Sequence, residues 1–188
     1  MRHSRPSDTL SKLEQSLDRE AMKLSRLLIQ TDSQLVLAES CTGGMVAAAL
    51  TRIPGISKHF CGSSVAYQSE TKHQWLKISQ AAIERYGTES IEMSQSLASV
   101  VLKNTKKGTV AAAITGDLGP TGNVGNIFMA CQLRKPSSAK LTSCVNLLNL
   151  HPSAAKLGRN KKQRYALQLL ASQHLIAMVR QLLTDTLR

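Results

Sequence analysis

The sequence predicts an α/β protein, a three-layer α/β/α sandwich whose sheet is mixed but mostly parallel. Three observations lead to this fold class. Apolar runs of strand length alternate with amphipathic helical patterns through the first two thirds of the chain. Two strand patterns then follow one another across the turn sequence RKPSSAK, which favours an antiparallel hairpin. A long amphipathic helical pattern ends the chain and needs a sheet face to cover.

The N-terminal part of the chain is predicted to be a helix that leads into a strand. Residues 1–9 form a basic segment that we expect to be flexible. Leu and Ala at three- and four-residue spacing predict a helix over 7–31, with Ser11 and Glu14 as a candidate capping box. Four consecutive apolar residues at 35–38 then predict a buried strand.

The next elements alternate between helices and a strand. An Ala-rich helix over 43–53 ends at a Pro-Gly pair, and a second strand covers 61–67. Ser69 is the expected cap of a short helix that holds Lys72. Another short helix around 81–86 stops at a glycine.

The second half of the chain is predicted from the same patterns, with apolar stripes for helices and apolar runs for strands. Its elements are a helix over 90–103, a strand over 109–114, a glycine-rich loop over 115–125, strands over 127–133 and 141–150, and a helix over 164–187. The loop has glycine at every third position from 116 to 125, which suits close approach of a ligand to the backbone.

Length and composition restrict the class of protein. With 188 residues and 42% hydrophobic content, the chain is expected to form one domain over 1–188. Its four cysteines form no CxxC pair and have no metal-like spacing with the five histidines. We therefore expect free thiols in a reducing, cytoplasmic compartment, and we do not expect a metal site. No apolar run approaches the roughly 18 residues of a membrane span, so no membrane association is expected.

The net charge of +12 raises the question of nucleic acid binding. The densest basic cluster, at 156–164, lacks interleaved aromatic residues and a known nucleic-acid motif. A solvated helix start explains this cluster most simply. A pocket for an anionic small molecule is the next interpretation, ahead of nucleic acid.

The stretch Leu35–Met45, LVLAESCTGGM, is the strongest candidate for a functional site. A buried strand turns sharply into a helix there, so the Ser40 hydroxyl and the free N–H groups of the helix start can converge on one point. A turn in which Ser and Thr only cap the helix is the alternative interpretation. Two other polar strand ends, 67–72 and 115–125, are expected at the same crevice, because ligands of such sheets bind outside the strand ends.

Three segments in order, AESCTGG, then VAY followed five residues later by Lys, then TGxxGP, resemble the CinA C-terminal domain family of nicotinamide-nucleotide amidohydrolases. The resemblance covers roughly residues 35–133. It implies conversion of nicotinamide mononucleotide to nicotinic acid mononucleotide and ammonia, without a metal or cofactor. Carried over by motif, it implies Ser40 as the nucleophile with Tyr67 and Lys72 beside it.

The amidohydrolase hypothesis also predicts substrate-binding residues. Thr115, Gly116 and Gly119 of the glycine-rich loop, together with Thr42 and Arg164, are expected to hold ribose and phosphate. Gly43 and Gly44 are expected to bind substrate at the start of the helix. The larger family members carry an additional N-terminal domain, so this chain resembles a stand-alone form.

The chain also departs from the family pattern. The glycine-rich loop is shorter, Asp117 stands where the family favours a small apolar residue, and the last helix opens with GRNKKQR instead of Gly-Asp-Arg followed by a second Arg. Arg164 fits that second Arg, while Asn160 or Arg159 stands near the first. These departures favour an alternative hypothesis, a catalytically impaired paralogue that binds a nucleotide or a protein partner, since an extra carboxylate repels a phosphate unless it is paired.

A Ser and Lys pair also has a physical basis. A Lys amine acts as a base near neutral pH only if its pKa falls by several units from about 10.4, which burial and a helix start favour for Lys72. Cys41 is the competing nucleophile at the same turn. Because consecutive strand residues face opposite ways, we expect Ser40 to face the pocket and Cys41 to pack behind it.

The two terminal helices carry more Leu than one sheet face requires, and the resembling family often forms dimers or larger oligomers. A homodimer is therefore expected. The alternative is that the two helices cover opposite faces of the sheet.

Overall fold

The computed structural model describes residues 6–135, 139–158 and 160–187. The described residues form five strands, one 3₁₀ turn and eight helices. The strands are β1 (Leu35–Glu39), β2 (Phe60–Val65), β3 (Val110–Gly116), β4 (Asn126–Leu133) and β5 (Lys140–Asn146), and the 3₁₀ turn is Ile56–Lys58. The helices are α1 (Pro6–Gln30), α2 (Met45–Thr51), α3 (Ser69–Leu76), α4 (Gln80–Tyr86), α5 (Ile91–Asn104), α6 (Leu147–Leu150), α7 (Pro152–Ala155) and α8 (Lys161–Asp185).

The strands form one sheet in the order β2-β1-β3-β4-β5. Strand β1 lies between β2 and β3 and is parallel to both. Strand β4 is antiparallel to β3 and to β5, so four of the five strands point the same way. The predicted mixed, mostly parallel sheet with helices on both faces is confirmed.

Side-chain alternation along the strands builds two cores. On β1, Leu35 and Leu37 belong to the larger core beneath α1, α2 and α8, whereas Val36 and Ala38 belong to the smaller core beneath α5. Successive strand residues point to opposite faces, so each strand feeds both layers of helices. The same parity continues past the end of β1 and separates the residues of the candidate site.

The terminal helices α1 and α8 pack against each other on the same face of the sheet. Most of their leucines are therefore buried within one chain, and the alternative in which the two helices cover opposite faces is wrong. Hydrogen bonds and an ion pair join the two helices, including Tyr165 to Glu14 at 2.7 Å and Arg180 to Glu20. No helix in the described part of the chain is long and apolar enough to cross a membrane.

Several predicted element ends lie elsewhere in the structure. Helix α1 already begins at Pro6, so residues 6–9 are helical, Ser11 lies inside the helix, and only residues 1–5 of the expected flexible segment fall outside the described residues. Helix α3 is capped by Gln68, and Ser69 is its first residue.

The end of β5 and the start of α8 also differ from the prediction. Strand β5 ends at Asn146, whose side chain accepts a hydrogen bond from the Asn149 N–H and starts α6. Helix α8 begins one turn early, because the Asn160 side chain accepts hydrogen bonds from two N–H groups of the first turn. Asn160 is thus a helix cap, and Arg159 lies outside the described residues.

Candidate active site

The candidate site lies at the carboxyl ends of the parallel strands β1, β2 and β3. Glu39, the last residue of β1, pairs with Val65 of β2 and with Ile114 of β3. Because these three strands are parallel, the segments that follow them, starting at Ser40, Ala66 and the glycine-rich loop, leave the sheet side by side. The three predicted strand ends are therefore brought together.

Ser40 and Lys72 are in direct contact. The Lys72 Nζ donates hydrogen bonds to Ser40 Oγ at 3.1 Å and to the backbone carbonyl of Tyr67 at 3.0 Å. Lys72 is 1% exposed and Ser40 is 8% exposed. Ser40 belongs to the turn after β1 and Lys72 to helix α3. Their contact is buried at the carboxyl ends of the strands.

Burial lowers the pKa of the Lys72 amine below its ordinary value of 10.5, while the Cys41 thiol and the Glu89 carboxylate oppose that shift. The two hydrogen-bond partners of the amine are a hydroxyl and a carbonyl, neither of which balances a positive charge. A lowered pKa favours the neutral amine, which is the form in which a lysine beside a serine hydroxyl acts as a general base.

Glu39 is a residue of the candidate site that the sequence analysis did not single out. Its carboxylate is 1% exposed and accepts four hydrogen bonds, from Thr42 Oγ1 at 2.8 Å, Val46 N at 3.1 Å, Ala47 N at 3.0 Å and Ser63 Oγ at 3.0 Å. The carboxylate thus caps the start of α2. An acidic residue at the end of a wholly apolar strand was the available signal, since such a group is buried only when it is paired.

This network changes the expected source of oxyanion donors. Glu39 occupies the second and third N–H groups of α2, and the Thr42 carbonyl occupies the first, so these groups are not free to stabilise an oxyanion. The backbone N–H groups of Thr42 and Gly44 have no acceptor among the described residues, whereas the Cys41 N–H interacts with its own thiol. The Thr42 and Gly44 donors, in the turn that carries Ser40, remain available.

The predicted substrate contacts between Ser40 and α2 are Thr42, Gly43 and Gly44, and the structure gives each of them a role in the turn itself. The Thr42 hydroxyl is buried and bonded to Glu39, so it is not presented to a ligand. Gly43 and Gly44 have φ of 62° and 92°, in the left-handed region that favours glycine. The two glycines therefore allow the sharp turn between Ser40 and α2.

Two predicted substrate contacts, Thr115 and Gly116, are the last two residues of β3 and pack against other parts of the fold. Thr115 is fully buried, and its hydroxyl lies 3.1 Å from that of Ser94 on α5. Gly116 packs so closely on β4 that a Cβ would lie 2.4 Å from the Asn126 carbonyl oxygen. Both residues hold β3 in place and do not line the crevice.

Tyr67, Gly119 and Arg164 form a bridge across the site. The Arg164 guanidinium donates to the Gly119 carbonyl at 2.6 Å and to the Tyr67 hydroxyl at 2.6 Å. Tyr67 is 56% exposed, and its phenol binds Arg164 instead of Lys72. Lys72 is oriented by the Tyr67 backbone carbonyl, a contact that residue type alone does not reveal.

Two carboxylates lie near this bridge. Asp117 Oδ1 accepts a hydrogen bond from the Gly119 N–H at 2.7 Å and so shapes the glycine-rich loop. Burial and the charge of Asp117 raise the pKa of Glu89, and Lys72 opposes that rise. Glu89 was not singled out from the sequence, because its position depends on the packing of the segment before α5. Among the described residues, no group of three or more His, Cys, Asp or Glu side chains could hold a metal ion.

Comparison with known proteins decides the family. The sequence model of the CinA C-terminal domain family matches residues 17–174 of the chain. The chain belongs to the CinA C-terminal domain family. The match includes β1 to β5 and most of α8, so it extends well beyond the segments that carry the sequence resemblance.

Curated relatives and solved structures are consistent with this family. The chain is 37% identical over 120 residues to a CinA-like protein of Dictyoglomus thermophilum, covering 61% of this chain and 29% of the relative. It is 39% identical over 108 residues to a CinA-like protein of Pseudothermotoga lettingae, covering 55% and 26%. This CinA C-terminal domain thus spans less than a third of the length of these relatives.

The fold is also that of solved CinA-superfamily structures. A competence/damage inducible protein from Agrobacterium tumefaciens superposes with a TM-score of 0.76 at 23% identity, covering 89% of this chain and 95% of the other. A CinA superfamily protein from Escherichia coli gives a TM-score of 0.73 at 23% identity, covering 88% and 90%. The sandwich seen in this CinA C-terminal domain is therefore the fold of the superfamily.

Cys41 is expected to be unreactive in the folded CinA C-terminal domain. Its side chain belongs to the core beneath α8, on the face opposite Ser40, and burial raises the pKa of its thiol to about 12. Iodoacetamide at pH 7.5 should therefore modify the exposed Cys61 and Cys144 and leave Cys41 unmodified, as measured by peptide mass mapping. The urea-unfolded chain, in which Cys41 should react like the others, is the control. Labelling of Cys41 at the rate of Cys144 in folded protein would contradict this assignment.

Glu39→Ala is expected to destabilise this CinA C-terminal domain by roughly 3 kcal/mol, because two N–H groups and two hydroxyls lose their buried acceptor. Urea unfolding followed by circular dichroism measures the change. Glu84→Ala, which removes an exposed carboxylate on α4, is the matched control and should cost about 0.5 kcal/mol or less. Equal losses in the free energy of unfolding for the two substitutions would show that the buried hydrogen bonds of Glu39 do not stabilise the fold more than an exposed carboxylate does.

Proposed function

We propose that this CinA C-terminal domain is an amidohydrolase that converts nicotinamide mononucleotide to nicotinic acid mononucleotide and ammonia, without a metal. The observation that carries the proposal is the contact between Lys72 Nζ and Ser40 Oγ, 3.1 Å long and buried. The substrate class comes from the resemblance of the three sequence segments to nicotinamide-nucleotide amidohydrolases.

The proposed reaction passes through an acyl-enzyme. Ser40 Oγ attacks the carboxamide carbon while the neutral Lys72 amine takes the hydroxyl proton. The oxyanion is stabilised by free N–H groups of the turn after Ser40. Collapse breaks the C–N bond, and the Lys72 ammonium gives its proton to the leaving nitrogen, which departs as ammonia. Water, deprotonated by Lys72, then attacks the ester, releases the carboxylic acid and restores Ser40.

The hydrogen bonds of Lys72 support this cycle. In its neutral form, the amine retains an N–H for the Tyr67 carbonyl while its lone pair accepts the Ser40 hydroxyl proton. After proton transfer, the ammonium can donate to both Tyr67 O and the leaving group. The backbone carbonyl thus orients the base in both protonation states, and the Tyr67 phenol is left to hold Arg164.

Arg164 is the proposed anchor for the substrate phosphate. Both of its partners, the Gly119 carbonyl and the Tyr67 hydroxyl, are neutral, so its charge is not paired with a carboxylate among the described residues. A cavity of about 240 Å³ lies beside it, lined by Leu118, Gly119, Pro120, Asn160, Lys161, Gln163 and Arg164. This volume suits a phosphate and part of a ribose, with Lys161 adding a second positive charge.

The direct test is ammonia release from a panel of pyridine nucleotides. Purified protein is incubated with nicotinamide mononucleotide, nicotinamide riboside and NAD, ammonia is measured with a coupled assay, and the acid product is identified by chromatography. The expected result is stoichiometric ammonia and nicotinic acid mononucleotide from the mononucleotide. Absence of ammonia from all three compounds would overturn the proposal.

The second candidate function is a catalytically impaired paralogue that binds a nucleotide or a protein partner. Asp117 favours it, since this carboxylate stands on the loop that Arg164 contacts and its charge opposes that of a phosphate. Saturable binding of nicotinamide mononucleotide without ammonia release would select this function.

We further propose that the domain acts in the cytoplasm as a homodimer, as the family resemblance implies. The buried leucines of α1 and α8 no longer argue for it, but Met22 and Ile29 on α1 remain 45% and 53% exposed. Light scattering at micromolar concentration should give twice the chain mass of 20.4 kDa. A mass near 20.4 kDa that does not change with concentration would rule out the dimer.

A further inference from the structure

A second cavity lies at the amino-terminal ends of the strands, opposite the strand ends that carry Ser40. It has a volume of about 630 Å³ and is formed where β1, β2 and β3 begin. Its lining residues are Gln34, Ser57, Lys58, Phe60, Cys61, Thr105, Lys106 and Lys107. Since five strand residues extend about 16 Å, this cavity is separate from the candidate active site.

The lining carries three positive charges and no negative one. The ammonium groups of Lys58, Lys106 and Lys107 come from two segments, the 3₁₀ turn and the turn between α5 and β3, and none forms an ion pair with a described residue. The side chains of Ser57 and Thr105 likewise have no hydrogen-bond partner in the described part of the chain. Like charges held together without a counter-charge favour binding of an anion.

The turn that carries two of these lysines is held rigidly by Arg134. Its guanidinium donates to the carbonyls of Leu102 at 2.6 Å, Thr105 at 2.8 Å and Gly108 at 2.6 Å. These carbonyls, at and just beyond the end of α5, carry partial negative charge that would repel an anion. Arg134 neutralises this charge and fixes the turn, so the cavity wall is preorganised before any ligand arrives.

We propose that this cavity binds a small molecule that carries two or more linked phosphate groups. Three ammonium groups match the charge of a diphosphate or triphosphate better than that of a single phosphate. The cavity volume lies within the roughly 300–1,000 Å³ typical of small-molecule sites. A nucleic acid would need a longer basic track with stacking aromatic residues, whereas Phe60 is the one aromatic residue of the lining and is half-buried.

Calorimetry with four proteins tests the site: wild type, two triple variants and Arg164→Ala. The probes are inorganic tripolyphosphate, ATP and a single-stranded DNA oligonucleotide, and a difference between the first two shows whether the ligand needs a nucleoside. In wild-type protein we expect saturable one-to-one binding. The variant Lys58→Ala/Lys106→Ala/Lys107→Ala should bind about tenfold more weakly. The control Lys12→Ala/Arg19→Ala/Arg26→Ala removes the same charge from exposed positions of α1 and should bind within about twofold of wild type.

Three outcomes of that experiment would overturn the proposal. They are the absence of saturable binding in wild-type protein, an equal loss of affinity in both triple variants, and a loss of binding in Arg164→Ala with binding retained in the cavity variant. Tight binding of single-stranded DNA without binding of tripolyphosphate would replace the proposal by a nucleic-acid surface. The site is independent of the proposed amidohydrolase activity, so neither result depends on turnover.

Cysteine labelling gives a second measurement within one molecule. Cys61 lines the cavity beside Lys107, while the exposed Cys144 lies on β5 outside it. Saturating tripolyphosphate should slow the reaction of Cys61 with N-ethylmaleimide and leave the rate at Cys144 unchanged. Unchanged labelling of Cys61, or equal slowing at both cysteines, would contradict binding in this cavity.

Discussion

Ser40→Ala is expected to lower kcat for ammonia release from nicotinamide mononucleotide by a factor on the order of 10⁴ or more, because no other hydroxyl contacts Lys72 Nζ among the described residues. The fold should persist, since the substitution removes one hydrogen bond worth about 1 kcal/mol. Steady-state kinetics and urea unfolding measure the two effects separately.

Ser172→Ala is the matched control for this substitution. Ser172 is also buried, but its hydroxyl bonds only to the Gln168 carbonyl within α8, so kcat should stay within about threefold of wild type. Unchanged turnover in Ser40→Ala would remove Ser40 from the mechanism. If Cys41→Ala were inactive at the same time, the role of nucleophile would pass to Cys41.

Lys72→Met is expected to reduce kcat by a factor on the order of 10³ or more, because the variant has no base at Ser40. Lys72→Arg should fail as well, since a guanidinium does not lose its proton in proteins. In wild-type protein, kcat should rise with pH as Lys72 deprotonates and level off above its lowered pKa. A Lys72→Arg variant with wild-type kcat would exclude the amine as the base.

The same pKa shift predicts a pH dependence of stability. The folded-state pKa of Lys72 lies below 10.5, so between these two values the unfolded chain binds more protons than the folded one. The Lys72 contribution to the free energy of unfolding is therefore smallest below the folded pKa and rises with pH up to about 10.5. Urea unfolding at several pH values should show this rise in wild-type protein relative to Lys72→Met. Parallel curves for the two proteins would contradict a lowered pKa.

The sequence by itself determined the fold class and the approximate positions of the five strands and of six of the eight described helices, but not those of the 3₁₀ turn, α6 or α7. Strand β3 and helix α5 were predicted to within a few residues because the alternation of buried residues along a strand and the apolar stripe of a helix are local patterns. Resemblance to the family pointed to Ser40 and Lys72, which the structure places in contact although 32 residues separate them. The local parity argument that Cys41 packs behind Ser40 also agrees with the structure.

Only the tertiary structure decided which groups meet around those two residues. The position of α2 on one face of the sheet lets Glu39 occupy two N–H groups of its first turn, and the approach of α8 takes the Tyr67 phenol to Arg164. The packing of α5 keeps Thr115 inside the fold. Each of these outcomes depends on which sheet face a helix covers and at what height it crosses. Contacts between segments that are distant in sequence set that geometry, and the periodic pattern of a single segment does not predict those contacts.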